Sequence, residues 1–326
     1  MISVPNRRSA VPGGIAAALA VAGLAAALPW LGVSSYGQTL VYYAAYYLAL
    51  GQAWNLMSGM TGYVSFAHGA FAGIGAYAVV IALNGDWRML PALFAAAVAA
   101  VLASLVIGAT SLRLRGIAFT FATLFFQELT LLILRKLPFT GGPGGLVLQQ
   151  ILPTWLPYVM MIALAAAATI AVAMLRRSRL GLRILALKGD EAAAVALGID
   201  ATRIKLALFC ASAAIAGLAG AAHGLFAASL YPDVVFSVDI SLVALAVPMI
   251  GGVATAIGPV VGAVLYVGIR ELLQVVAPQL HLTIVGLLLL LVMLFLREGI
   301  APAVAGSIRR RVRGAAVPSP APEGSR

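Results

Sequence analysis

Few side chains in this sequence could do chemistry, and the most unusual of them stands inside a long apolar segment. Glu128 lies in the run FTFATLFFQELTLLILRK, where the nearest cation in sequence is Arg135, two helical turns away on the same face. An ionisable group inside a lipid-embedded helix is costly unless it is paired or hydrated. A structural contact between helices and a place on a substrate pathway are both open for Glu128. Gln127, its neighbour, is a candidate for the same pathway.

A second group of polar residues occurs in MTGYVSFAHGAFAGIGAY, residues 60–77. Glycine and hydroxyl groups at membrane depth indicate a broken or re-entrant helix start, which is tolerated only against protein or a water-filled cavity. We expect His68 to hydrogen-bond between helices, with a pathway-lining role for His68 and Ser65 as the alternative. We expect no metal site, because His223 and His281 lack chelating spacing.

A charged island at residues 176–205 separates two apolar runs and holds seven of the 21 Lys and Arg residues. Positive charge between apolar spans is typical of a cytoplasmic loop. Within the island, Asp190 predicts the start of a short helix that runs to Leu197 and ends at Gly198. Asp200 then predicts the cap of the following span. The short helix is either an ordinary interfacial helix or a helix that docks on a cytoplasmic partner.

The composition sets the class of protein. Of 326 residues, 63% are hydrophobic and 10% are charged, and the mean hydropathy is +1.05. This predicts an all-α polytopic membrane protein, since only helices and closed barrels satisfy their backbone groups in lipid and no strand-like alternation occurs. The net charge of +11 is spread over loops, which argues against nucleic-acid binding. Cys210, the single cysteine, excludes a disulfide framework.

The hydropathy pattern predicts about ten transmembrane or re-entrant helices. An uncleaved first span is favoured over a signal peptide. With both termini cytoplasmic, seventeen of the 21 basic residues lie inside, and Arg88, Arg135, Lys136 and Arg270 lie at the outer face. The predicted organisation is a cytoplasmic N-terminus at 1–13, a permease domain at 14–300 and a basic, disordered cytoplasmic tail at 301–326. The predicted spans are 14–33, 39–57, 63–83, 90–111, 116–134, 155–175, 205–230, 239–256, 258–276 and 282–296.

A weak internal repeat occurs at an offset of 189 residues, where the pattern G-x6-G-x3-G-x3-Y appears twice. Chance and true duplication both remain open. Glycines four residues apart let a neighbouring helix approach closely. We therefore expect close helix packing at Gly69, Gly73, Gly258 and Gly262.

Three long motifs in the same order resemble the permease subunits of ABC importers for branched-chain amino acids, the LivM type. They are NLMSGMTGYVSFAHGAFAGIGAY, ATLFFQELTLLILRKLPFTGGPGGL and RSRLGLRILALKGDEAAAVALGIDATRIKLALFCASAAIAGLAGA, and VPMIGGVATAIGPVVGAVLY also fits. The resemblance covers most of residues 40–300. The older importer pattern would place glycine at 197, whereas this sequence has it at 198, as in the D-E-x-A-A-x-x-L-G-I form of this family.

The resemblance implies a subunit that translocates branched-chain or related hydrophobic amino acids across a bacterial inner membrane. It implies a LivH-type permease partner, two ATPase subunits and an extracytoplasmic solute-binding protein. This chain would bind no cofactor, and its partners would use ATP; the chain has no phosphate-binding loop and no hydrolase motif, so an enzyme is not expected. Urea, amides or small organic acids are alternative substrates, and an ion-coupled secondary transporter is the alternative of a different class.

Two surfaces are expected to meet those partners. The outer residues Arg88, Arg135 and Lys136 are expected to dock the binding protein through charge. Coupling to the ATPase is expected from the charged island, through Gly181, Asp190, Glu191, Ala193, Ala194, Leu197 and Gly198.

Overall fold

The computed structural model describes residues 20, 22–32, 34–114, 116–276 and 286–287. The predicted segments 1–13 and 301–326 lie outside the described residues, as do most of span 282–296 and part of span 14–33. The α-helices with fully described bounds are α1 (Ser35–Trp54), α2 (His68–Asn84), α3 (Met89–Ser111), α4 (Ile117–Lys136), α5 (Trp155–Arg177), α6 (Arg179–Gly189), α7 (Glu191–Ala196), α8 (Ala201–Ala227), α9 (Pro232–Val235), α10 (Val238–Gly251) and α11 (Gly258–Val276).

Six segments of the described chain are long and apolar enough to cross a membrane: α3, α4, α5, α8, α9 with α10, and α11. Large apolar side chains such as Phe94, Val106 and Phe125 are exposed on α3 and α4. An apolar surface of this extent requires a lipid or protein environment. The prediction of an all-α polytopic membrane protein is confirmed, while the number of ten helices and the side of the termini stay predictions.

The core of the bundle is built on backbone contact between α2 and α8. A Cβ at Gly75 would overlap the carbonyl oxygen of Gly217, and a Cβ at Gly220 would overlap that of Ala72. Small residues at such crossings replace the hydrophobic driving force that is missing between helices in lipid. α3 packs on the same pair, and Ala100 of α3 lies against Gly217. The crossing holds α2 in place immediately after the irregular segment that precedes it.

The two ends of the bundle differ. At the sheet end, β1 (Leu146–Val147) pairs antiparallel with β2 (Ser229–Leu230), with Leu146 opposite Leu230. Asn84 ties this end together, donating to the carbonyl of Val147 at 3.0 Å. At the opposite end, α6 and α7 form the short helical hairpin of the charged island, and we call this the basic end.

The helix bounds agree with the predicted spans where the chain is continuous and differ where it is broken. Spans 90–111 and 258–276 match α3 and α11 within one residue. Span 63–83 was too long, because the helix begins only at His68 after an extended segment. Span 239–256 was also too long, because α10 ends at Gly251 and Gly252 adopts a φ of 136° that a side chain would strain. Both differences mark irregular backbone inside the bundle.

Candidate functional site

The first irregular segment links α1 to α2. α1 continues as a π-helix, Asn55–Gly59, and the chain is then extended over 62–66 before α2 begins. A π-helix is rare and is frequently found at functional sites. The predicted broken start of this helix is therefore present, and it lies toward the basic end of the bundle.

Side chains from several elements satisfy the backbone of this extended segment. The Trp54 indole N–H donates to the carbonyl of Ser65 at 3.0 Å, and the hydroxyl of Ser58 accepts from the Ser65 N–H at 3.2 Å. On α4, Thr120 donates to the carbonyl of Val64 at 3.0 Å, and Thr123 accepts from the N–H of Phe66 at 3.0 Å. Non-helical backbone at membrane depth requires such protein partners. We call this segment, with the π-helix, the first break (55–67).

The second break is the loop 252–257 between α10 and α11. Asn55 holds it: its Oδ1 accepts from the N–H of Ala254 at 2.7 Å, and its Nδ2 donates to the carbonyl of Thr255 at 2.7 Å. Gln52 adds a bond from Nε2 to the carbonyl of Ala256 at 2.7 Å. The π-helix of the first break is thus hydrogen-bonded directly to the second break. Motion of either irregular segment must be accommodated by the other.

Three of the four predicted pathway residues lie in the wall of the first break. Ser65, His68 and Gln127 are fully buried. Gln127 accepts from the hydroxyl of Ser241 and donates to the carbonyl of Phe236 at 3.3 Å, so it fixes α4 against the start of α10. All three side chains are packed inside the protein.

His68 was expected to hydrogen-bond between helices. The backbone carbonyls of Ala53 on α1 and of Ser65 lie toward its ring, while neither ring nitrogen forms a bond of regular hydrogen-bond geometry among the described residues, so the bond between helices stays a prediction. The ring meets Phe71 at an angle of 73°, with centroids 6.1 Å apart.

Glu128 lies on a different face of α4 from Gln127. It is half-buried, and the neighbouring Phe125 and Leu129 are exposed. Its carboxylate forms no ion pair or hydrogen bond within the described part of the chain. Arg135, the nearest cation in sequence, pairs with Asp233 at the start of α9.

The predicted packing glycines all lie at close contacts. A Cβ at Gly69 would crowd Ser241 and Gln127, and one at Gly73 would overlap the ring of Phe236. In the second copy, a Cβ at Gly262 would overlap the carbonyl oxygen of Val247, and one at Gly258 that of Gly252. Each pair of glycines therefore lets the helix that follows a break pack closely against its neighbours.

The charged island folds as the sequence predicts, with one change of role. Asp190 caps α7 by accepting from the N–H of Ala193 at 3.0 Å, and Gly198 follows with a φ of 83°. Leu197 is 82% exposed, whereas Ala194 is only 2% exposed. A partner protein can therefore contact Leu197 and Ala193, but it cannot reach Ala194, which packs against Leu187 and Ala201. Gly181 is also buried, against the last turn of α5.

Glu191 does not project from α7 toward a partner protein. Its Oε1 lies 2.7 Å from the Nζ of Lys205 on α8, and its Oε2 accepts from the Tyr63 hydroxyl at 2.8 Å. Lys205 also donates to the Tyr63 oxygen at 2.7 Å. A second lysine, Lys188, donates to the carbonyl of Gly59 at 2.8 Å. Burial lowers the pKa of the Lys188 ammonium, and the nearby Arg176 charge adds to this.

Sequence reasoning missed Tyr63, Lys188 and Lys205 as site residues. The two lysines were counted only as orienting charges of the island. A usable signal for Lys205 was its position. It follows the Asp200 cap by five residues and lies one turn after Ala201, on the same buried face of α8.

At the sheet end, the three predicted docking cations differ in availability. Arg88 and Lys136 are exposed. Arg135 is already paired with Asp233, so its charge is largely compensated.

The fold and the site define a polytopic α-helical membrane protein with two broken segments joined near its basic end. Residues 36–293 match the model of the branched-chain amino acid transport system, permease component, and the chain belongs to this family. It is similar to the high-affinity branched-chain amino acid transport system permease protein LivM of Salmonella typhimurium strain LT2, with 30% identity over 294 residues that cover 78% of this chain and 68% of the relative.

The protein of the same description from Escherichia coli K12 is 29% identical over the same coverage. No solved structure shows significant similarity. The chain is therefore a multi-pass permease subunit of the bacterial inner membrane and not an enzyme, which confirms the resemblance seen in its motifs.

Proposed function

We propose that this chain is a membrane-spanning subunit of an ATP-binding cassette importer that moves branched-chain or related hydrophobic amino acids into the cytoplasm. The observation that carries this proposal is the short capped helix α7, whose exposed apolar residues Val195 and Leu197 stand at the basic end. An apolar tip on a charged surface fits a groove on another protein better than it fits water.

The basic end faces the cytoplasm in this proposal, and both termini lie on that side. The bias of basic residues supports this orientation. The breaks then lie in the cytoplasmic half of the bundle, next to the hairpin that an ATPase would contact. The sheet end, with Arg88 and Lys136 exposed, faces the binding protein.

The partners in the proposed complex are a LivH-type permease subunit, two ATPase subunits and a solute-binding protein. ATP is hydrolysed by the ATPase subunits, and this chain binds no cofactor. The substrate class follows the family and its two relatives, whose names specify branched-chain amino acids. Ten helices, counting re-entrant ones, remain our proposal for the whole chain.

Site-specific crosslinking tests the docking of α7. With Cys210 replaced by serine, single cysteines are placed by Leu197→Cys and by Ala194→Cys. A cysteine-to-amine crosslinker is then applied to the complex in native membranes. Leu197→Cys should capture an ATPase subunit, and Ala194→Cys should not, because that position is buried in the same helix. Failure of Leu197→Cys to capture an ATPase in actively transporting complexes would refute the docking role.

Uptake by the reconstituted complex tests the energy source and the substrate. Proteoliposomes are prepared with the ATPase subunits facing the lumen and the binding protein added outside. They should accumulate leucine, isoleucine or valine only when ATP is present in the lumen. Uptake driven by a proton gradient without ATP would instead identify an ion-coupled secondary transporter, with Glu128 as its proton site. Calorimetry on the binding protein with leucine, urea and small organic acids separates the alternative substrates.

A further inference from the structure

Three residues from three separate elements form a closed polar ring at the basic end, which we call the triad: Tyr63, Glu191 and Lys205. The Lys205 ammonium lies 2.7 Å from the Glu191 carboxylate and 2.7 Å from the Tyr63 hydroxyl, which itself donates to Glu191 at 2.8 Å. The ammonium also lies 3.9 Å from the centroid of the Tyr63 ring, within cation–π range.

The triad is deeply placed for a group of charges. The Lys205 side chain is only 4% exposed, and that of Glu191 is 24% exposed. A buried ion pair contributes little net stability compared with apolar packing, but breaking it by removing one partner is strongly destabilising. Such a pair is therefore poor support for the fold as such, and its presence calls for a role that apolar packing cannot fill.

The position of the triad supplies that role. Glu191 is the first residue of α7, Tyr63 belongs to the first break, and Lys205 lies in the first turns of α8. Glu191 thus links the hairpin to the irregular segment through a side chain, with Lys205 as the common anchor. Because all three contacts are short and charge-assisted, α7 and the first break must move together or exchange partners.

A second connection runs parallel to the triad. Lys188, in the last turn of α6, holds the carbonyl of Gly59 at the end of the π-helix. One turn earlier, Asn55 holds the second break. The hairpin is therefore connected through two lysines and one asparagine to both breaks. These connections form a continuous physical path, which is what coupling between distant sites requires.

We propose that the triad transmits displacement of α7 to the first break, making Tyr63, Glu191 and Lys205 positioning residues for transport. This rests on the ATPase-docking role proposed for α7. The triad does not itself contact the ATPase. Its loss should therefore lower both transport and substrate-stimulated ATP hydrolysis while leaving ATPase docking intact.

The decisive variant is the neutral double replacement Glu191→Gln/Lys205→Met. It removes both charges at similar volume, so no unpaired charge is left buried. We expect a complex that assembles, and that still crosslinks from Leu197→Cys to the ATPase. Uptake and substrate-stimulated ATP hydrolysis should fall by about tenfold or more, the effect of losing a hydrogen bond to a charged group.

Arg203→Met is the matched control. Arg203 lies two residues from Lys205, and its ion pair with Asp200 is exposed, with 88% exposure of the arginine side chain. Its removal should leave uptake and hydrolysis unchanged, because exposed pairs contribute little. A tenfold loss in this control would show that any charge change near the hairpin disrupts transport, which would overturn the specific role of the triad.

Tyr63→Phe provides a second arm that does not depend on how the double variant folds. It keeps the ring over the ammonium and the Lys205–Glu191 pair, and it removes only the hydroxyl that joins them to the first break. Uptake should fall about tenfold at unchanged assembly. Wild-type uptake by Tyr63→Phe, or by an assembled double variant, overturns the proposal. If Leu197→Cys fails to crosslink to the ATPase in a complex whose triad is intact, the docking role of α7 is refuted instead. The two failures are therefore distinguishable.

Discussion

Replacing Asn55 with alanine tests whether one side chain joins the two breaks. Asn55 is fully buried and makes two bonds of 2.7 Å to the second break. Asn55→Ala leaves the N–H of Ala254 and the carbonyl of Thr255 without these partners. An unsatisfied buried group costs about 1–3 kcal/mol in soluble proteins, whereas hydrogen bonds between membrane helices average about 0.6 kcal/mol. For two bonds the two scales together predict a loss of about 1–6 kcal/mol in unfolding free energy.

The assay is reversible unfolding of the purified subunit complex in mixed micelles, with uptake measured on the same preparation. Thr110→Val is the matched control, since the Thr110 hydroxyl is exposed and, among the residues that the structure describes, bonds carbonyls of its own helix, such as that of Ile107 at 3.0 Å. The control should change the unfolding free energy by less than about 0.5 kcal/mol. Asn55→Ala should also reduce uptake, because the breaks lose their direct connection.

A second variant, Gly59→Ala, should break the same hydrogen bonds between Asn55 and the second break by steric overlap. A Cβ at Gly59 would overlap the Oδ1 of Asn55 and displace it from the Ala254 N–H. The double variant Asn55→Ala/Gly59→Ala should then cost clearly less than the sum of the single variants, as expected for residues that share an interaction. Simple additivity, or an Asn55→Ala effect no larger than that of Thr110→Val, would refute the reasoning.

Three further predictions concern single positions. Glu128→Gln should assemble normally but transport poorly in uptake assays, and Glu128→Leu should also lose assembly; wild-type uptake by Glu128→Gln would leave the residue structural. Gly262→Ala should destabilise the complex by about 1–3 kcal/mol in micelle unfolding, because its Cβ overlaps the Val247 carbonyl, whereas Gly268→Ala, with open space at its Cβ, should be neutral. Reversing Arg88 and Lys136 to glutamate should raise the binding-protein concentration for half-maximal uptake, most clearly at low salt; an unchanged concentration dependence at low salt would exclude them from docking.

The sequence predicted the continuous parts of the fold well, since hydropathy and caps are local signals. α3 and α11 match their predicted spans, and the Asp190 and Asp200 caps stand where the pattern placed them. The broken segments were predicted less well. Glycines and hydroxyls indicated a break before His68, but only the structure shows that threonines of α4 replace its missing helical bonds.

The site was predicted in part, because its contacts join residues far apart in sequence. Ser65 and Gln127 were singled out as pathway candidates. Ser65 lies in the first break, and Gln127 reaches it through Ser241, whose hydroxyl bonds both Gln127 and the carbonyl of Phe66. The partner of Glu191 could not be read from its helix, since Lys205 is on α8 and Tyr63 is 128 positions away. Arg135 likewise lies too far in sequence from Asp233 for spacing to reveal their pairing.

Charges in a membrane protein can serve topology and mechanism at once, and counting them does not separate the two. Lys205 was counted among the seventeen basic residues that favour a cytoplasmic basic end, yet its ammonium is buried and neutralised by Glu191. Arg135, counted on the opposite side, is compensated by Asp233. Setting both aside leaves sixteen basic residues against three, so the proposed orientation does not depend on them. A buried charge such as that of Lys205 can connect helices, and the triad does so where the hairpin meets the first break.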